Sequence, residues 1–137
     1  MRHAQVLAFD VEDRLADLLR ELAQANGLWL RPVRHAKTCI NLLRQGADVL
    51  VLRLGKDLER EMTLLDQVSR LFPATRTVAI GNLPNPALAA LAWDLGAAYV
   101  LFPPEPIEVL REVLLSLLLP LPAHHRGALS HLREADF

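Results

Sequence analysis

The sequence predicts a three-layer α/β fold, with a parallel sheet covered by helices on both faces. Two observations carry this. Val49 to Leu52 is an apolar run of strand length with two β-branched valines, closed by Asp48 on one side and Arg53 on the other. A strand apolar at every position is buried on both faces, which is the environment of a parallel sheet between helices. Around it, short apolar runs alternate with segments of helical period, separated by glycine and proline; that alternation predicts right-handed crossovers between parallel strands.

Val6-Leu7-Ala8-Phe9, ending in Asp10, reads as the first strand. Asp13 is placed to cap a helix that starts near Arg14, with Leu15, Leu18, Leu19, Leu22 and Ala23 on one face and Asn26-Gly27 as its stop. Leu28 to Val33 reads as a second strand, and Pro32, which has no N–H to donate, puts it at an edge. The second helix carries Ala36, Cys39, Ile40 and Leu43 on one stripe and ends at Gly46. After the buried third strand, Lys56 to Arg60 reads as a charged loop, and the Lys56-Asp57 and Glu59-Arg60-Glu61 charges as solvated.

The third helix buries Met62, Leu65, Val68 and Phe72 before Pro73, and Thr77 to Ile80 is the fourth strand, closed by Gly81-Asn82. Pro86 suits the first turn of a fourth helix with Leu88, Leu91, Ala92 and Leu95, stopped at Gly96. Ala98 to Phe102 is the fifth strand, and Pro103, Pro104 and Pro106 lead into a fifth helix from about Pro106 to Leu119. Residues 1–120 form the expected domain, and 121–137 a tail or linker with His124, His125 and His131. No Cys or carboxylate stands at ligand spacing with these histidines, so no metal is expected there.

Composition narrows the function classes. A net charge of -1 gives no electrostatic footprint for nucleic acid, and four Phe, two Trp and one Tyr are few for base stacking. Cys39 is the single cysteine, which rules out an internal disulfide and suits a reducing cytoplasm. Met1 to Gln5 run straight into the first strand with no signal-peptide stretch, and Val113 to Leu119, broken by Ser116, is too short to cross a bilayer.

In an open parallel sheet, chemistry sits just beyond the carboxyl ends of the strands. Arg53 stands there, at the end of the central strand. Ordered landmarks now resemble a known family. Val6 to Asp10, Asp48 to Leu54, Phe72-Pro73 before Thr77 to Ile80, Gly96-Ala97-Ala98-Tyr99-Val100-Leu101-Phe102-Pro103 and Glu105-Pro106-Ile107-Glu108 resemble the succession in response-regulator receiver domains. The resemblance covers Val6 to about Leu118. It implies a flavodoxin-like three-layer sandwich with strand order 2-1-3-4-5 and a place in two-component signalling.

Departures fall on the chemical positions. Receivers hold Mg²⁺ with paired acidic residues at the end of the first strand; here Asp10 is followed by Val11. Arg53 stands in the phosphoacceptor position, Gly81 in that of the hydroxyl residue and Phe102 in that of the lysine. Arginine has no carboxylate to accept a phosphoryl group, and a lone carboxylate beside a guanidinium is a poor Mg²⁺ site. The pocket reads as a degenerate, pseudo-receiver one.

Two readings of Arg53 stand side by side: an ion pair with Asp10 that replaces metal and phosphate, or an arginine reaching out to solvent. Tyr99 occupies the position of the receivers' switch aromatic, but without a hydroxyl at 81 it reads as simply packed. Trp93 is either exposed for a partner or covered by the next loop. Cys39 reads as a buried inert thiol. In the last helix, Ile107, Leu110, Val113, Leu114, Leu117 and Leu118 are placed to face the sheet, leaving Val109, Leu115 and Leu119 over. Those three and Trp93 form the candidate surface for a homodimer or a protein partner.

The expected function is therefore a phosphorylation-independent signalling or protein-interaction domain, not an enzyme, with no cofactor. The alternative is a nucleotide- or flavin-binding domain of the same fold. Against it, the first strand meets its helix at Asp10-Val11-Glu12-Asp13, which repels phosphate.

Overall fold

The computed structural model describes residues 3–118. Its elements alternate along the chain: β1 (Gln5–Phe9), α1 (Asp13–Asn26), β2 (Trp29–Val33), α2 (Ala36–Gln45), β3 (Val49–Leu54), α3 (Leu58–Leu71), β4 (Arg76–Gly81), α4 (Pro86–Asp94), β5 (Tyr99–Leu101) and α5 (Val109–Leu118). The five strands form one sheet in the order β2-β1-β3-β4-β5, and every neighbouring pair is parallel. The expected order and the edge position of the proline-bearing strand are both present.

Strand alternation builds two cores from one sheet. Leu7, Phe9, Leu50, Leu52 and Leu54 pack with Leu64, Leu65 and Val68 of α3 and with Cys39 and Leu43 of α2. On the opposite face, Val6, Ala8, Val49, Val51, Val78 and Ile80 pack with Leu15 and Leu19 of α1 and Leu110 and Leu114 of α5. Val49 to Leu52 are fully buried, so β3 is apolar on both faces because helices cover both.

The helix ends follow local chemistry. Gly27 closes α1 in the left-handed region (φ 65°), and its N–H donates to the Ala23 carbonyl. Asn85 caps α4, its side-chain oxygen accepting from the Leu88 N–H at 3.0 Å, with Pro86 in the first turn. Several expected boundaries shift. The N-cap of α1 is Glu12, with Asp13 already helical. α5 starts at Val109, because residues 103–108 form turns, with the Glu105 N–H donating to the Phe102 carbonyl. β5 is shortened to Tyr99–Leu101. Leu119 and the tail with its three histidines lie outside the described residues.

Cys39 sits fully buried on the inner stripe of α2. Burial pushes its thiol up from 9.0 to about 11, because the thiolate loses its hydration there. Raising the folded-state value favours the native state at low pH, and that contribution is lost as pH rises from about 9 through about 11. Cys39→Ala should therefore flatten the fall in stability across this window, read by urea unfolding at a series of pH values. In the native protein, thiol labelling at neutral pH should be slow until denaturant is added; rapid labelling would contradict the burial.

Candidate interaction site at the carboxyl edge of the sheet

The parallel registers bring the ends of β1 and β3 together. Phe9 lies opposite Leu52, so Asp10 and Arg53 follow at the same edge. They do not pair. Asp10 leaves the strand conformation with φ 51°, a left-handed backbone that aspartate tolerates better than most residues. Its carboxylate meets Lys56 instead, with Nζ to Oδ2 at 3.1 Å. The expected Asp10–Arg53 ion pair is thus replaced by one from the β3–α3 loop.

Glu61 explains where Lys56 stands. This carboxylate, only 2% exposed, lies on the inner side of the first turn of α3 and accepts from the Gly55 N–H at 2.8 Å and the Asp57 N–H at 3.0 Å. The backbone on both sides of Lys56 is thereby tied down. The expectation that the Glu59-Arg60-Glu61 charges are all solvated is wrong for Glu61. A buried carboxylate is stable where donors satisfy it, and two loop amides do so here. The sequence signal was a glutamate on the side of α3 that carries Leu64, Leu65 and Val68. The Lys56–Asp10 bridge is itself partly exposed, at 64% and 25% of the two side chains, so it contributes only about 0–1 kcal/mol.

Arg53 is half-buried, and its Nε is a buried donor without an acceptor among the described residues. Val11, next to Asp10, packs on the β-sheet face shared with α1 and α5. A single carboxylate already held by an ammonium does not fit Mg²⁺. Among the described residues there is no group of three or more His, Cys, Asp or Glu side chains that would hold a metal ion.

At the ends of β4 and β5 the site is closed by a ring. Phe102 is 9% exposed and lies over Gly81. A β-carbon at position 81 would fall 2.7 Å from Phe102 Cζ and nearer still to Cε2. No side chain fits there while the ring stays. The two departures from the receiver pattern, at 81 and 102, are therefore one packing arrangement.

Beyond Phe102 an open groove of about 340 Å³ runs between α4 and β5, lined by Ala89, Trp93, Tyr99, Val100, Phe102 and Glu105. Tyr99 is half-buried. Its hydroxyl donates to Glu105 Oε2 at 2.9 Å, and its ring meets Trp93 edge-on at 5.8 Å between centroids. Trp93 is half-buried and packs on the core, between the two alternatives the sequence left open. Leu91 on α4 and Leu83 in the β4–α4 loop are exposed. Val109 and Leu115 are half-buried against the α1–α5 core, less free than the helical spacing implied. Leu119 lies outside the described residues.

No family model matches the chain, and no curated protein matches it in sequence. Solved structures do match. The signal receiver domain of an HD domain-containing protein from Pseudomonas fluorescens Pf-5 superposes with a TM-score of 0.72 at 21% identity, covering 92% of this chain and 99% of that one. A response regulator from Thermotoga maritima gives 0.72 at 14% identity, covering 85% and 98%. NtrX from Brucella abortus gives 0.70 at 21% identity; the match covers 98% of this chain but 29% of NtrX. The fold is that of response-regulator receiver domains.

The interlock of positions 81 and 102 is testable. Gly81→Ala should destabilise the domain by about 1–3 kcal/mol through overpacking. In a Phe102→Ala background the same substitution should cost far less, as urea unfolding of the four proteins would show. Equal costs in both backgrounds would mean that the ring does not fill that space.

Proposed function

We propose that this chain is a pseudo-receiver: a non-enzymatic signalling domain that acts through protein contacts and takes no phosphoryl group. One observation carries the reading. The carboxyl edge of a receiver fold holds an arginine where the acceptor carboxylate would be. Its surroundings support the same reading, since Lys56 engages Asp10 and Phe102 fills the space above Gly81. These contacts bind neither metal nor phosphate, and they involve only groups of the chain itself. The cytoplasm is the compartment that such a role implies, and no described helix is long and apolar enough to cross a membrane.

The contact surface we assign is the α4–β5–α5 side, and the partner a second copy of the chain. The groove with Trp93 and Tyr99 and the exposed Leu83 and Leu91 supply apolar area there. With no phosphorylation to gate it, such a dimer is constitutive.

Incubation with acetyl phosphate and Mg²⁺ followed by intact-mass measurement should show no gain. A stoichiometric phosphoryl adduct on a carboxylate of this pocket would overturn the proposal. Sedimentation at micromolar concentration should show a dimer that Trp93→Glu converts to monomer. A monomer in both proteins would remove the interface while leaving the phosphate-free reading intact.

A further inference from the structure

The chain is nearly neutral, but its charge is unevenly placed. From Leu22 to Ala47 there is no aspartate or glutamate, whereas Arg31, Arg34, Lys37 and Arg44 all fall in this stretch. The stretch folds into β2 and α2, at the edge of the sheet opposite β5. All four cations are exposed, and none is in an ion pair among the described residues. Lys37 and Arg44 share the outer stripe of α2 with Asn41, while Cys39 and Leu43 face inward. On β2, alternation puts Trp29 and Arg31 on the same face as Val33, the face that α2 covers. Trp29 is 54% exposed and is stacked on His3 at 5.7 Å. Aromatic and arginine side chains together at an exposed site are the residue types that dominate protein interfaces.

We propose that the β2–α2 edge docks a short acidic segment of a partner protein. Three features fix the mode. The Trp29 N–H donates to the Ala4 carbonyl and the Val33 carbonyl accepts from Asp10 N–H, so Leu30 and Pro32 turn their backbone toward the open edge. Pro32 has no N–H to offer, which blocks addition of another strand, and recognition falls to side chains. The basic stripe is also short. α1, packed beside β2, exposes Asp13, Asp17 and Glu21, with exposed Glu12 at its N-cap, against Arg14 and Arg20. A phosphate backbone continuing past the stripe would run onto these carboxylates, whereas a short acidic peptide ends before reaching them. This surface is separate from the α4–β5–α5 side and does not depend on the reading given to that side.

The test is a titration of the full chain, labelled with ¹⁵N, by an oligoglutamate peptide at low ionic strength. The Trp29 indole N–H and backbone amides between Arg31 and Arg44 should shift, and added salt should reverse the shifts. Reversing two exposed charges in Arg31→Glu/Arg34→Glu should weaken binding about tenfold. A circular dichroism melt establishes that this variant is folded, and Lys37→Glu/Arg44→Glu on α2 repeats the test on a different element. Shifts confined to other surfaces, no shifts at all, or equal affinity in the reversed variants would overturn the proposal. So would tighter binding of an oligothymidine of matched charge, which would make the edge a nucleic-acid site.

Discussion

The burial of β3 on both faces is the constraint from which the rest of the molecule follows. Leu50, Leu52 and Leu54 look toward α2 and α3, and Val49 and Val51 look toward α1 and α5. Each fully buried aliphatic side chain contributes about 1.5–3 kcal/mol relative to exposure. A strand that buries every residue must have paired neighbours on both edges and helices above and below. β1 and β4 take the edges, and the crossovers that connect parallel strands deliver the helices. The same constraint ends at Arg53, the first residue of β3 with part of its side chain open. The central strand thus delivers a cation to the carboxyl edge, where receivers have an anion.

Much of this was legible in the sequence because its cause is local or periodic. The run Val49 to Leu52, the helical spacing of leucines in α1 and the glycine after Asn26 each determine structure through nearby residues. Pro32 marked an edge strand because a residue without an N–H inside a strand is tolerated at an edge and not in the middle of a regular ladder. The site was less legible because it depends on side-chain direction after the strands end. Adjacent positions at one edge implied contact between Asp10 and Arg53, but a left-handed backbone at Asp10 redirects the carboxylate to Lys56. The burial of Glu61 was hidden for a similar reason. A charge run says nothing about which member lies on the inner side of the helix, and two loop amides reward the one that does.

Lys56 and Glu61 show how a loop gains definition from its own side chains and amides. Glu61 fixes the amides of Gly55 and Asp57, and the residue between them reaches across to the end of β1. The bridge is weak in itself. Its value is geometric, since it joins the β3–α3 loop to the β1–α1 turn.

The fit of Phe102 over Gly81 also limits how this chain can change. A hydroxyl side chain at 81 has no room while the ring is present, and a smaller residue at 102 leaves an unfilled space above a glycine. A carboxylate in place of Arg53 would still lack its hydroxyl and lysine partners. On the proposed reading, giving this edge a receiver's set of chemical residues would take several coordinated replacements, with positions 81 and 102 changed together. The interlock couples two side-chain positions sterically, so that a larger residue at 81 is admitted only together with a change at 102.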